Sequence, residues 1–275
     1  MPVALILSSY VATSRVGGMA QALALAALAI DPVVVPTVLF GRHPGRGAPG
    51  GGATPIEIFD GMLAGVEADG AFARADAVIT GYFASAAQVR SAARAIDAVR
   101  SARPAARIIV DPIMGDARRL YVSPEVADAI SSELIPRADL IAPNAWELER
   151  LSGLALTDAD TAVLAARSLG KPVLVSSVPR GEAIGVVYVD ADNAWLASHP
   201  RAEKAPNGVG DLLTALFAAA LIDGLAPDQA LAHAVGGVVE AVLAAAAIGR
   251  DELPIMALGA RLSQTSPCVR LERLD

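Results

Sequence analysis

Short apolar runs alternate with longer Ala- and Leu-rich runs through most of the chain. Runs of four to eight β-branched or aliphatic residues predict buried strands, and longer runs with helical spacing predict helices. The predicted strands are Val3–Leu7, Val33–Leu39, Ala77–Thr80, Arg107–Val110, Leu140–Ala142 and Val173–Ser177. The predicted helices between them are Met19–Ile30, Ile56–Glu67, Ala84–Ser101, Pro124–Leu134 and Asp158–Leu169, with Ser123 as N-cap of the fourth. This alternation predicts a parallel sheet.

The sequence pattern changes after Ser177. Two further apolar runs, Ala183–Val189 and Ala194–Ser198, flank the turn-rich segment Asp190–Asn193 and predict an antiparallel hairpin. Three helices are then predicted, at Asp211–Ile222, Pro227–Ile248 and Glu252–Leu262. The predicted fold class is therefore α/β, with a mostly parallel central sheet and helices on both faces.

Composition and charge exclude several classes of protein. Hydrophobic residues make up 54% of the 275 residues, but charges and glycines interrupt the apolar runs before about 20 residues, the length that spans a bilayer. The first residues predict a strand rather than a signal peptide. A single cysteine, Cys268, excludes an internal disulfide framework. The net charge of −7 without a basic cluster argues against a nucleic-acid partner. We expect a soluble, cytoplasmic protein with no membrane partner.

One loop has an unusual composition. Residues 41–54 are rich in Gly, Pro and Arg and include Gly50-Gly51-Gly52. The segment is either a plain surface loop or a mobile flap over a binding site, and we refer to it as the flap. No internal repeat or linker interrupts the remaining pattern, so residues 1–275 are predicted to form a single domain.

The segment most indicative of chemistry is Gly208-Val209-Gly210-Asp211, which leads directly into an apolar helix. Two glycines allow a tight turn, and the free N–H groups at the start of a helix bind anions such as phosphates. Asp211, in the first helical turn, could accept a proton from a substrate hydroxyl, or it could simply cap the helix. The Lys and Ser/Thr of a Walker loop are absent.

Two further polar groups follow predicted strands. Asp111 ends the strand Arg107–Val110, and Asn144 follows Leu140–Ala142, with Glu147 three residues later. The carboxyl ends of parallel strands line the ligand crevice of such sheets, where these side chains could hold Mg²⁺ or its waters. The alternative for Asp111 is a turn cap, and for Asn144 and Glu147 a capping box.

Taken together, these motifs resemble the ribokinase superfamily and, within it, the pyridoxal kinases. The superfamily has a Gly-x-Gly-Asp anion hole and an Asn-x-x-Glu motif, as at Gly208–Asp211 and Asn144–Glu147. The pyridoxal kinase signature is similar to Asp111–Asp116 with Tyr121-Val122. Further similar motifs are Thr80-Gly81-Tyr82 and Thr37–Phe40 with His43.

The resemblance implies a ribokinase-like three-layer sandwich and phosphoryl transfer from ATP with Mg²⁺ to the 5′-hydroxymethyl of pyridoxal, pyridoxine or pyridoxamine. It makes Asp211 the base and Gly208, Val209 and Gly210 the anion hole. The implied ATP-side residues are Asp111, Asn144, Glu147 and Ser176, the first three also serving the metal through water. The implied substrate-side residues are Ser9, Phe40, His43, Tyr82 and Asp211, with Phe40 and Tyr82 stacking on the ring. A homodimer is implied, and a K⁺ requirement is left open.

The chain also departs from the family pattern. Tyr10 stands where the family has His, Pro44 follows His43 where a Thr is frequent, and Ser176 stands where a nucleotide-binding Lys is usual. Arg180 or Lys204 could replace that cation. One alternative function is hydroxymethylpyrimidine kinase, although those enzymes usually have Cys at the position of Asp211. The other is a catalytically weak protein that binds a nucleotide or the vitamin.

Overall fold

The computed structural model of the chain describes residues 1–274. Its strands are β1 (Val3–Val11), β2 (Asp31–Phe40), β3 (Gly51–Ala53), β4 (Ala75–Thr80), β5 (Arg107–Val110), β6 (Gly115–Asp116), β7 (Arg119–Leu120), β8 (Leu140–Ile141), β9 (Val173–Arg180), β10 (Ala183–Val189), β11 (Ala194–Pro200) and β12 (Arg270–Leu274). Its helices are α1 (Gly17–Ala27), α2 (Ile56–Ala68), α3 (Ala71–Arg74), α4 (Ala86–Ala102), α5 (Pro124–Ala129), α6 (Ala145–Ser152), α7 (Ala159–Ser168), α8 (Val209–Ile222), α9 (Pro227–Ala247) and α10 (Ile255–Leu258).

The centre of the fold is a ten-stranded sheet in the order β12-β11-β10-β9-β8-β5-β4-β1-β2-β3. The six strands from β9 to β2 pair in parallel, as the sequence predicts. The predicted hairpin of β10 and β11 is antiparallel. Because the chain leaves β1 towards β2 and later returns to β4 on the other side, the order reverses between β1 and β4. Such a reversal opens a crevice at the carboxyl ends of the strands.

Helices cover both faces of the sheet, which confirms the predicted layers. On one face, Ile6, Ile79 and Ile109 pack against apolar residues of α1, α8 and α9. On the other, Leu7 and Val78 pack with residues of α2, α4 and α5. Successive strand residues therefore contact opposite helical layers, and burial of both faces explains the continuous apolar strands of this sequence.

Three predicted elements differ from the structure. The helix predicted at Glu252–Leu262 is a short α10 followed by a 3₁₀ turn, because Pro254 and Gly259 interrupt it. The helix predicted at Pro124–Leu134 continues from α5 as a π turn, and the Ser123 side chain makes no capping hydrogen bond. The flap contains a 3₁₀ turn (Pro44–Arg46) and β3, which pairs with β2.

Helix α9 is long and apolar enough to cross a bilayer by length and composition alone. In the structure just over half of it is buried inside the fold. Leu231, Ala234 and Val235 of α9 belong to the same core as α1 and α8. The apolar character of α9 is therefore accounted for by packing within the protein.

Replacing Gly237 of α9 with alanine is expected to lower the free energy of unfolding by about 1–3 kcal/mol, as overpacking does. A Cβ at Gly237 would lie 2.0 Å from the carbonyl oxygen of Leu262, so the 3₁₀ turn after α10 would have to move. The matched control is Gly65→Ala in α2, where a Cβ meets no atom within 4 Å. That change should stabilise the helix by about 0.5–1 kcal/mol. Urea unfolding measures both, and equal effects would contradict the close approach at Gly237.

Candidate active site

The first turn of α8 forms one wall of the site. Its N-cap, Gly208, has a left-handed φ of 88°, and a Cβ there would lie 2.1 Å from the carbonyl oxygen of Arg15. Only glycine fits this position without displacing the β1–α1 loop. The turn lies at the wall of a cavity that Gly208 and Gly210 line, which places the first N–H groups of α8 beside that cavity. Such unpaired N–H groups carry the positive end of the helix dipole and can bind an anion.

Asp211, in the first turn of α8, contacts the β1–α1 loop. Its Oδ2 accepts a hydrogen bond of 2.8 Å from the backbone N–H of Gly17. Its Oδ1 is buried and has no hydrogen-bond partner among residues 1–274. Burial raises the pKa of Asp211 to about 6, against the opposing effect of the Gly17 hydrogen bond. One oxygen is therefore fixed and the other can accept a proton.

Asp111 lies immediately after β5 and faces α8. Its Oδ2 accepts a 2.9 Å hydrogen bond from the Thr214 hydroxyl, one helical turn beyond Asp211. Burial raises the pKa of Asp111 well above its ordinary value, and the charges of Asp211 and Glu147 raise it further. The position of Thr214 was not anticipated, although a buried hydroxyl in an otherwise apolar helix segment was a signal in the sequence.

Asn144 and Glu147 form the predicted capping box of α6, and they also line the cavity. Glu147 Oε2 accepts from the Asn144 N–H at 2.9 Å, while Oε1 accepts from Met114 and Gly115 N–H at 2.9 and 3.3 Å. Burial raises the pKa of Glu147 to about 7, although these three hydrogen bonds oppose the shift. A capping box and a role in the ligand crevice are therefore compatible interpretations of this motif, because Glu147 fixes the loop after β5 while it lines the crevice.

Two adjoining cavities meet at these residues. The first, of about 240 Å³, is lined by the carboxylates Asp111, Asp116, Glu147 and Asp211. It adjoins a second cavity of about 490 Å³ whose wall is largely apolar and includes valines of α9, and both are lined by Ser176 and Gly210. An acidic cavity with an anion-binding helix start, beside an apolar one, suits the phosphates and the base of a nucleotide.

The oxygen donors of the first cavity can be compared with the ligands that Mg²⁺ usually takes in proteins. Within residues 1–274 no three acidic, His or Cys side chains converge closely enough to hold a metal ion by themselves. Mg²⁺ usually binds through one or two carboxylates, several waters and the phosphates of its substrate. Burial raises the pKa of Asp111, and repulsion from the charges of Asp211 and Glu147 raises it further. A bound cation would relieve that repulsion, so the donors fit Mg²⁺ held with nucleotide phosphates.

Neither Arg180 nor Lys204 supplies the positive charge that the family's Lys would place near Ser176. Arg180 pairs with Glu272 of β12 at 2.6 Å, and Lys204 pairs with Asp251 at 2.6 Å. Neither lines either cavity. Ser176 itself follows the buried part of β9 and forms a bridge to Asn144, so it lies where the sequence places it.

The residues predicted to bind the substrate lie at the same edge of the sheet. Ser9 is buried at an irregularity near the end of β1, and a Cβ on Gly17 would lie 2.0 Å from its Oγ. Phe40 ends β2, and Tyr82 follows β4; both are half-buried. His43 caps the 3₁₀ turn of the flap by accepting from the Gly45 N–H at 3.1 Å. Burial, and then the charge of Arg46, lowers the pKa of His43.

Comparisons with known proteins identify the family of this chain. Residues 57–256 match the family model for phosphomethylpyrimidine kinase. The pyridoxine/pyridoxal/pyridoxamine kinase of Bordetella avium is 37% identical over 81% of this chain and 78% of its own length. The pyridoxal kinase of Deinococcus radiodurans is 30% identical over 98% and 95%.

Solved structures extend the agreement to the whole fold. Pyridoxal kinase from Leishmania donovani in complex with ADP and pyridoxamine superposes with a TM-score of 0.92 at 25% identity, covering 100% of both chains. Pyridoxal kinase from Entamoeba histolytica gives a TM-score of 0.91 at 26% identity, covering 99% of both. The predicted α/β layers are thus confirmed as those of known kinases. This chain belongs to the pyridoxal kinase family and has its ribokinase-like fold.

Proposed function

We propose that this chain transfers the γ-phosphoryl group of ATP to the 5′-hydroxymethyl group of pyridoxal, pyridoxine or pyridoxamine. The observation that carries the proposal is the arrangement at the start of α8. The buried Oδ1 of Asp211, which has no hydrogen-bond partner among the residues that the structure describes, lies beside the first N–H groups of α8 at the cavity that Gly208 and Gly210 line. A base next to an anion-binding site is the arrangement that phosphoryl transfer to an alcohol requires.

The reaction follows from these positions. The substrate hydroxyl loses its proton to Asp211 Oδ1 as its oxygen forms a bond to the γ-phosphorus. The bond from phosphorus to the bridging oxygen breaks, and ADP leaves. The N–H groups around Gly208, Val209 and Gly210 stabilise the negative charge on the transferring group. The Gly17 hydrogen bond to Asp211 Oδ2 holds the carboxylate in position, so that Oδ1 faces the hydroxyl.

The remaining predicted residues bind the two substrates in this proposal. Ser9 would hydrogen-bond the pyridine ring, Phe40 and Tyr82 would stack on its faces, and His43 would approach from the flap. Asp111, Asn144 and Glu147 would hold Mg²⁺ through water beside the ATP phosphates, with Ser176 between the two cavities. Mg²⁺, when bound, supplies positive charge that neutralises the phosphates.

Assembly and location are part of the same proposal. We propose a cytoplasmic homodimer with one domain per chain, on the basis of the family resemblance. The single cysteine, Cys268, is exposed and unpaired, which suits a reducing compartment. Gel filtration with light scattering tests the dimer.

A direct assay tests the function. The purified chain is given ATP, Mg²⁺ and, separately, pyridoxal, pyridoxine, pyridoxamine or hydroxymethylpyrimidine, and phosphorylated products are identified by mass. Turnover of a B6 vitamer supports the proposal. Turnover of the pyrimidine alone would instead favour the activity for which the matching family model is named. Binding of ATP without any turnover would indicate a protein that has lost catalysis.

The rate should depend on pH through Asp211. We expect kcat/KM for the vitamer at saturating ATP and Mg²⁺, where a bound cation keeps Asp111 and Glu147 ionised, to fall below about pH 6. The pKa of Asp211 is raised to about 6, and only the carboxylate accepts a proton. With one group the fall is about tenfold per pH unit. Initial rates at low substrate concentration, corrected for the titration of the vitamer itself, measure the acidic limb of the pH–rate profile. A limb near pH 4, roughly the ordinary value for aspartate, would contradict a desolvated base.

A further inference from the structure

An ion pair near its tip joins the flap to the rest of the molecule. The guanidinium of Arg46, in the 3₁₀ turn of the flap, lies 2.6 Å from Oε1 of Glu252. A second, longer hydrogen bond of 3.4 Å runs from Arg46 to the carbonyl oxygen of Asp251. The partner segment is fixed, because the next residue, Leu253, is buried in the core. The flap is therefore tied to a rigid part of the molecule.

The same carboxylate also holds the loop between β1 and α1. Oε2 of Glu252 accepts a 2.7 Å hydrogen bond from the backbone N–H of Arg15. The two oxygens of one side chain therefore bind two different segments, the flap and the β1–α1 loop. Glu252 is only partly exposed, with 26% of its side chain accessible, so its interactions are less screened by water than those of a free surface pair.

The β1–α1 loop in turn orients the base. The carbonyl oxygen of Arg15 lies against Gly208, where a Cβ would approach it to 2.1 Å. Two residues further along the loop, the N–H of Gly17 donates to Asp211 Oδ2 at 2.8 Å. The contacts thus run without interruption from Arg46 through Glu252 and the loop to Asp211.

We propose that Glu252 is a positioning residue that closes the flap over the substrate and, in the same closed state, fixes the β1–α1 loop against the base. The proposal rests on the proposed kinase function. It assigns one oxygen of Glu252 to substrate retention and the other to alignment of Asp211. A residue outside both cavities thereby couples closure of the site to the chemical step.

Substitutions can distinguish the roles of the two carboxylate oxygens of Glu252. Glu252→Gln keeps an oxygen that can accept from Arg15 but loses the charge that binds Arg46. It should raise KM for the vitamer by about two- to fivefold, which is the range of a partly exposed ion pair, with kcat retained. Arg46→Gln should do the same, and Arg46→Lys should restore KM. Glu252→Ala removes both contacts and should also lower kcat by about ten- to a hundredfold, as misplacement of a base does.

Trypsin provides a measurement that needs no turnover. Cleavage after Arg42, within the flap, should be faster in Glu252→Gln and Glu252→Ala than in the unmodified chain, because the flap opens more often. The matched control is Asp251→Asn. It removes the neighbouring carboxylate, which pairs with Lys204 at 2.6 Å. The charge of Asp251 also acts on Arg46, but the salt bridge that Arg46 forms is with Glu252, so Asp251→Asn should speed cleavage much less than the Glu252 variants do. Melting temperatures verify that all variants fold.

Each outcome decides the proposal. Cleavage of both Glu252 variants at the Asp251→Asn rate would overturn it, and so would a kcat in Glu252→Ala equal to that in Glu252→Gln. If the unmodified chain turns over no vitamer, the proposed function fails. The tryptic comparison then still decides whether Glu252 holds the flap. Faster cleavage with KM raised in both variants, and kcat lowered only in Glu252→Ala, supports the proposal.

Discussion

Replacing Asp211 with asparagine is expected to lower kcat by about 10²- to 10⁴-fold while KM for both substrates changes little. The amide oxygen can still accept the hydrogen bond that Gly17 donates to Oδ2, so the β1–α1 loop stays in place. The amide nitrogen then occupies the position of Oδ1, which is buried and has no hydrogen-bond partner within residues 1–274. Because that nitrogen cannot accept a proton, only the chemical step should suffer.

The matched control for this change lies at the other end of the same helix. Asp223 is the C-cap of α8 and is exposed, so Asp223→Asn should leave kcat and KM unchanged. Single-turnover rates with saturating ATP and vitamer separate the chemical step from product release. Near-normal turnover of Asp211→Asn would show that the carboxylate serves only to hold the β1–α1 loop.

The sequence was sufficient to predict where these side chains meet. Apolar runs buried on both faces indicated parallel strands, and parallel strands end at a common edge. Asp111 and Asn144 each follow such a strand, and Asp211 follows a glycine turn that begins a helix. Their convergence in one cavity therefore follows from the order of elements. The capping box at Asn144 and Glu147 was visible from spacing alone.

The partners of these residues could not be predicted in the same way. The bonds from Thr214 to Asp111 and from Gly17 to Asp211 join segments far apart in the chain, and no local pattern specifies such pairs. Strand β12 was missed because Arg270–Leu274 is rich in charge, as edge strands frequently are. The contacts that Glu252 makes with the flap and the β1–α1 loop were not predicted either, because the segment around Pro254 was interpreted as one helix.

Replacing Glu147 with alanine is expected to weaken both the fold and the binding of ATP with Mg²⁺. The carboxylate accepts hydrogen bonds from three backbone N–H groups, those of Met114, Gly115 and Asn144. Loss of these acceptors should lower the free energy of unfolding by about 2–4 kcal/mol. The loop after β5, which carries Asp116 into the cavity, would lose both hydrogen bonds to Glu147 and keep the one from Asn144 Nδ2 to the Gly115 carbonyl oxygen at 2.8 Å. The dissociation constant for ATP with Mg²⁺ should therefore rise by about tenfold or more, about 1.4 kcal/mol.

Two variants make this prediction decisive. Glu149→Ala removes a carboxylate from the same helix that accepts one hydrogen bond in the described part of the chain, from Leu156 at 2.8 Å. It should cost about 0.5–1.5 kcal/mol and leave nucleotide affinity unchanged. Glu147→Gln keeps one acceptor oxygen and serves if the alanine variant does not fold. Urea unfolding and calorimetric titration with ATP and Mg²⁺ measure the two effects. If Glu147→Ala loses stability but binds the nucleotide as tightly as before, Glu147 acts only as the cap of α6, because a residue that also serves the phosphates and their metal must change both quantities.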